Sequence, residues 1–525
     1  MVAICTAQPT VSAVQNNYSY ILPGLPNYGI AQGSIFVLYG TNLANTSTSL
    51  QSAPLKTLLE GVSVSVTVSG QTRAVILYYV TPTQIAGILP STTPVGTGTI
   101  SVTNNGRTSP AASILVVQSS FGVLTLDGSG RGSAAVFDAR NSFLTATNAA
   151  RPGDTIVLYG TGAGPSQGDE TGPQTQANLA NVPILVEIGG RPAQVLYHGR
   201  TVFPGLDQIN LVVPAGLSPG CAVTLTVSSG AYVSNFTTIP VTTSGNTCTN
   251  EGGDPNLTIT DAERARWISA GQYTAGSVGL TRSTSYSTTT TRTDTFSAGF
   301  NRITGNIGPL FNSNFFVPTV GSCMITSGLV NPFPDLVYKS LDAGASLTSL
   351  GPAGTKTVPR SINSAGFIGY SLTVGNGTAG NYLDPGSYTI SGSGGPDIGS
   401  FTGTIQVAPE LIWTNRTTLE TVDRATPITL TWSGGEPTTL VTIEASSTVI
   451  RGTTVISASF QCWARNTDGR FTIPASVMAT LPPTGTINGS LAIATVGRGT
   501  RITATGLDYG TLGSQYGVAQ SVIWK

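Results

Sequence analysis

One segment of the chain occurs twice. Gly33–Leu43 (GSIFVLYGTNL) returns as Gly153–Ala163 (GDTIVLYGTGA), with six of eleven positions identical. The correspondence continues in order. Val66–Tyr78 (VTVSGQTRAVILY) parallels Val186–Tyr197 (VEIGGRPAQVLY), and Thr83-Gln84-Ile85 before Pro90 parallels Asp207-Gln208-Ile209 before Pro214. Thr99–Val102 then parallels Thr224–Val227, each followed by a glycine turn. Two copies of one unit must therefore build the first half. Each unit reads as a β-sandwich. Val62, Val64, Val66 and Val68 alternate with Ser63, Ser65, Thr67 and Ser69, the period of a strand with one buried face. A one-residue slip would turn all four valines to water, which fixes the register. Asn104-Asn105-Gly106 supplies a hairpin turn, because Asn and Gly tolerate positive φ.

The chain has 525 residues, enough for three or four domains. Only 9% are charged, and 24 basic residues balance 24 acidic ones, so nothing draws the chain to nucleic acid or anionic lipid. A single histidine removes multi-histidine metal sites and most histidine-based catalysis. No run nears the length of about 18 apolar residues that spans a bilayer, so no transmembrane segment is expected. The N-terminal segment 1–24 begins with Met1–Ala7, readable as the end of a clipped export signal or as an ordinary terminus.

Along the chain, sandwich 1 is placed at 25–120, a connector hairpin at 121–150 and sandwich 2 at 151–243. A linker with one short helix fills 244–270. Thr260-Asp261-Ala262-Glu263 has the form of a capping box and predicts that helix near 261–269. Strand patterning resumes in sandwich 3, at 271–409. There Ser283–Thr295 is so rich in Thr and Ser that it reads as an edge strand, with a glycosylated stalk as the alternative. Sandwich 4 is placed at 410–525, where Ile428, Leu430 and Trp432 alternate. The fold class is all-β, about four tandem immunoglobulin-like β-sandwiches. Of the five cysteines, Cys221 with Cys248 is a reasonable local disulfide and Cys323 with Cys462 a second, which leaves Cys5 over; five reduced thiols are the alternative.

Tyr39-Gly-Thr-Asn-Leu43, the valine-rich strand ending in glycine, Thr83-Gln84-Ile85 and Ile100–Gly106 together resemble the IPT/TIG immunoglobulin-like domain. The second copy resembles it through Tyr159–Gly162, Asp207–Ile209, Pro214 and Leu225–Gly230, and departs at Gly162 and Ala163. The tandem is similar to modules of secreted or cell-surface proteins of environmental bacteria that have no assigned function. The resemblance covers roughly 25–245. It implies a sandwich used as spacer, adhesion or ligand-presenting module, with no catalytic residues and no cofactor. Tyr39, Tyr159, Gln84 and Gln208 read as packing residues that satisfy backbone groups.

The remaining chemical signals are sparse. In the second copy His198–Asp207 is an insertion, and its His198, Arg200 and Phe203 are candidate contact residues; a satisfied surface histidine is the plainer reading. Asp127–Gly132 with Asp138 matches an EF-hand loop in length and in its sixth-position glycine, but Arg131 stands where a ligand belongs, so it reads as a glycine-rich turn. Leu481–Gly485 (LPPTG) matches a sorting motif but has strand-like sequence after it, and reads as a proline turn. Trp413, Trp432 and Trp463, with Tyr382 and Tyr388, are candidate platforms for sugars, but their strand-like spacing makes core packing the plainer reading. The sequence points to a secreted or surface structural and adhesive protein, self-associating through sheet edges that few charges guard. A carbohydrate-binding array whose partner is an extracellular polysaccharide is the alternative, a hydrolase on a sandwich scaffold the second. No nucleophile or metal motif marks an enzyme, and none is expected.

Overall fold

A computed structural model of the chain describes residues 7–48, 52–250, 257–287, 289–311, 318–325, 335–376, 381–451, 454–497 and 499–525. Most of Met1–Ala7, including Cys5, and the 251–256 part of the linker lie outside the described residues. The protein is all-β.

In the first unit one sheet runs in the order Thr10–Asn16, Ile35–Thr41, Gln84–Ile88, Ile76–Val80. The facing sheet places Val62–Val68 between Gly96–Asn104 and Gln71–Ala74. The four valines of Val62–Val68 are buried and meet Phe36 and Leu38 of the opposite sheet, so the alternating pattern forms the core. The second unit repeats these pairings, Thr155–Thr161 with Asp207–Val212 and Leu185–Ile188 with Gly220–Ser229. It differs at one strand. Arg191–Arg200 runs unbroken from one sheet into the other through a bulge at Val195–Tyr197. The corresponding stretch of the first unit splits into Gln71–Ala74 and Ile76–Val80 on either side of buried Val75.

Residues 121–150, expected as a separate connector, are built into the second sandwich. Gly122–Val123 and Val136–Asp138 pair with Thr155–Thr161, and Gly132–Ser133 lies parallel to Thr237–Val241. Phe121, Val123, Val136 and Leu144 are part of its core. The glycine-rich sequence hid these strands because each is only two or three residues long.

The C-terminal half has two main cores, one large sheet that runs through both, and a small sheet of Leu411–Trp413, Ile428–Gly434 and Arg470–Ile473. Gln272–Tyr286 pairs antiparallel with Thr290–Thr304 and, on its other side, parallel with Tyr509–Trp524. From there pairing continues through Gly489–Val496 to Leu440–Arg451 and Thr454–Arg465. Strand pairing is therefore continuous across the boundary expected at 409/410, and the two hydrophobic clusters also cross it, Ile502 and Leu512 belonging to one and Cys323 to the other. The two strands that share Ser283–Thr295, a segment expected as an edge, are central: Gln272–Tyr286 and Thr290–Thr304 each have partners on both sides. Their β-branched threonines suit a two-sided ladder. Within this pair Arg282 stands opposite Asp294 and bonds it at 2.7 Å, with both side chains buried.

The helix Asp261–Ala270 begins at Thr260, whose hydroxyl accepts from the Glu263 amide while the Glu263 carboxylate accepts from the Thr260 amide. Gly271, with φ of 61°, ends it. A second, one-turn helix spans Ala475–Met478. Disulfides join Cys221 to Cys248 and, across a pair of antiparallel strands, Cys323 to Cys462. No helix among the described residues is long and apolar enough to cross a membrane.

Candidate functional site

The inserted loop 198–207 is a seam between the two repeated units. Arg200 is buried, donating to Asp207 Oδ1 at 2.5 Å and to the Gly164 carbonyl at 2.8 Å. Asp207 Oδ2 accepts from the amides of Gly162 and Ala163 at 2.7 and 2.8 Å. Burial pushes the Asp207 carboxyl up, and Arg200 and those amides pull against it. The guanidinium lies against Gly33 of the first unit, where a Cβ would stand 2.0 Å from Nη2. Arg200, expected as a contact residue, is thus an internal brace. His198 is partly buried, with Nε2 2.9 Å from the Val182 carbonyl, and Phe203 is exposed at the loop tip.

The seam is extensive and polar. Thr161 Oγ1 accepts from the Ile35 amide at 2.8 Å, and Asn16 Nδ2 donates to the carbonyls of Ser120 and Thr161 at 3.3 Å. Glu170 receives both the amide and the hydroxyl of Ser91 at 2.8 and 2.6 Å, and the Tyr78 hydroxyl donates to the Pro204 carbonyl at 2.5 Å. Those of Thr161 and Asn16 are buried, and satisfied buried hydrogen bonds fix orientation as well as contact.

Two of the three candidate tryptophans are core residues. Trp413 and Trp432 stand opposite each other on paired strands and are buried in the C-terminal core. Their indoles donate to Asn415 Oδ1 and the Asn466 carbonyl. Trp463 is partly buried and bonds Gln461; Tyr382 and Tyr388 are buried. Apolar burial competes for the same ring faces that a sugar would need, and strand alternation cannot separate the two uses. Among the described residues no group of three or more His, Cys, Asp and Glu is placed to hold a metal ion.

A cleft of about 630 Å³ lies elsewhere, lined by both repeated units and by Ile325 and Thr480 of the C-terminal half. Its floor is the row Ala13, Tyr39, Gln84 across three neighbouring strands. The loop 127–132 covers one side through Ser129, Gly130 and Arg131, and Tyr20, Leu25 and Phe236 close others. Gly130, with φ of +77°, packs on Tyr20 and the Tyr18 carbonyl, where a Cβ would come within 2.7 Å. The sequence displayed Tyr39 and Gln84 as repeated positions. It gave no sign that Ile325 and Phe236 meet them, because that meeting belongs to the tertiary arrangement.

No family model matches the chain, and no curated protein matches it. Solved structures are similar at low identity. The plexin A4 extracellular region is 10% identical over 90% of this chain and 30% of its own, with a TM-score of 0.15. The S-layer protein SbsC is 10% identical over 97% of this chain and 54% of its own, at 0.16. The eight N-terminal Ig domains of Down syndrome cell adhesion molecule are 11% identical over 95% and 47%, at 0.13. The chain thus spans about a third to a half of these structures, and at such TM-scores the likeness carries no argument; the fold rests on the strand pairing above.

Proposed function

We propose that this chain is an extracellular structural and adhesive protein of tandem immunoglobulin-like units, the first two of the IPT/TIG type. The observation that carries the reading is the sealed seam between those units. A flexible tether would leave the junction to solvent, whereas here Arg200, Asp207 and Thr161 are buried in it and bonded. A junction of this kind transmits load and holds surfaces at fixed spacing. Two disulfides support an oxidising location. Self-association through open sheet edges, such as the exposed Gln71–Ala74, belongs to the same proposal. The proposal assigns no catalytic turnover.

Sedimentation velocity over a wide concentration range, with small-angle scattering of the same samples, tests it. Concentration-dependent association and a profile matching one rigid arrangement are expected. A strict monomer with freely pivoting units, or turnover on a broad panel of glycosides and esters, overturns it.

A further inference from the structure

The two copies of the repeat treat the same sheet face differently. In the second, Phe137 stands opposite Val157 and packs edge-on against Tyr159 at 5.6 Å, with Phe143 against it at 4.1 Å. That face is filled. In the first, the position opposite Val37 is Gln15, and Ala13 stands opposite Tyr39, so the tyrosine that matches Tyr159 opens into the cleft. Gln15 is held by its own bond to the Tyr20 carbonyl at 3.0 Å. Tyr20 is itself in the left-handed region, with φ of 52°, a costly conformation for an aromatic residue. Asn16 sustains it: its carbonyl accepts from the Tyr20 amide, and its Oδ1 accepts from the amides of Tyr18 and Ser19. A strained turn thus holds one phenol over the cleft beside another.

The chemistry of the walls selects the occupant. Burial first, then the neighbouring phenols, push Tyr39 up to about 12, so it stays an uncharged hydroxyl at neutral pH. Gln84 is Tyr39's cross-strand neighbour and accepts from Tyr79 at 3.4 Å. Ile21, Leu25, Phe236 and Ile325 supply apolar surface; among the described lining residues there is no carboxylate, and the one charged side chain, Arg131, has Asp127 as its electrostatic partner. The volume is that of an ordinary small-molecule site, and such sites favour junctions between domains. We propose that this cleft binds an uncharged amphipathic small molecule, its apolar body against Leu25, Phe236 and Ile325 and a hydroxyl or carbonyl group at Tyr20, Tyr39 and Gln84.

Titrating the full chain with N-phenyl-1-naphthylamine, an uncharged fluorescent amphiphile, tests the assignment. Saturable binding at one site is expected. Ala13→Trp, on the floor, and Ser129→Trp, on the loop opposite, should each weaken it at least about tenfold, or about 1.4 kcal/mol, with unchanged thermal unfolding. Tyr39→Phe should weaken a hydroxyl-bearing competitor, 1-naphthol, more than the dye. Absence of saturable binding, or binding that survives in a folded form of either tryptophan variant, overturns the proposal. Either result leaves the structural reading standing, since that depends on the seam.

Discussion

Arg200 of the second repeated unit lies directly against Gly33 of the first, and the equivalent glycine of the second unit, Gly153, faces open space. Both have positive φ, 71° and 91°. Alanine at either position meets the same backbone penalty, about 1–2 kcal/mol. Only at Gly33 does the methyl also displace a buried guanidinium. Gly33→Ala should therefore destabilise by roughly 3 kcal/mol or more and loosen the seam, while Gly153→Ala loses only the backbone part. Urea unfolding of both variants, with scattering of the first, checks this.

Asp294 accepts from Arg282 at 2.7 and 2.9 Å and from the amides of Tyr382 and Leu383 at 2.6 and 2.9 Å. Burial pushes its carboxyl up, but Arg282 and these amides hold it below the ordinary carboxylate range. Asp294→Ala leaves the buried Arg282 only its longer contacts to the more exposed Asp384 and Glu410, at 3.4 and 3.5 Å, and takes the acceptor from two amides, so it should cost about 3 kcal/mol. Replacing both by apolar residues, Arg282→Met with Asp294→Leu, should cost less than the single change. A double-mutant cycle in guanidinium chloride measures the difference.

Glu263 ties the helix to the C-terminal strands, with Arg501 Nη2 2.5 Å from its carboxylate. Arg501 and then the Thr260 amide hold the Glu263 carboxyl down to about 2. A folded pKa below the unfolded one gives stability that is full above the ordinary glutamate value of about 4.3 and lost as pH falls toward 2. Glu263→Gln should therefore be less stable than the parent at pH 6, with the gap closing between pH 5 and 2. Denaturation midpoints along that series decide it.

The two disulfides close loops of 27 and 139 residues. In the chain-entropy account, removing the first by paired serine substitution lowers stability by about 3.5 kcal/mol and removing the second by about 5 kcal/mol. Calorimetry of the two double variants should place Cys323→Ser/Cys462→Ser lower in Tm.

The residues that announced themselves in the sequence did so through period and repetition. Val62–Val68 could occupy only one register, and the matching of Tyr39 with Tyr159 and Gln84 with Gln208 carried the strand pairing of both units. Short strands escaped, because Gly132–Ser133 acquires its identity only from Thr237–Thr238 more than a hundred positions away. Arg200 looked like a surface loop residue since a buried charge is legible only beside its partner. The tryptophans stayed ambiguous for the opposite reason: aromatic rings on alternating strand positions look alike whether a core or a ligand covers them, and only the structure buries Trp413 and Trp432. The cleft needed three remote parts of the chain and left only Tyr39 and Gln84 in view.

The parallel ladder between Gln272–Tyr286 and Tyr509–Trp524 joins residues 234 apart, such as Ala275 and Tyr509. Neither side of position 409/410 can keep its inner flank hydrogen-bonded alone, so a fragment cut there would expose raw backbone along a dozen residues. The pair must ripen together, slowly, as such distant zippering demands, and a tug on one is felt at once by the other.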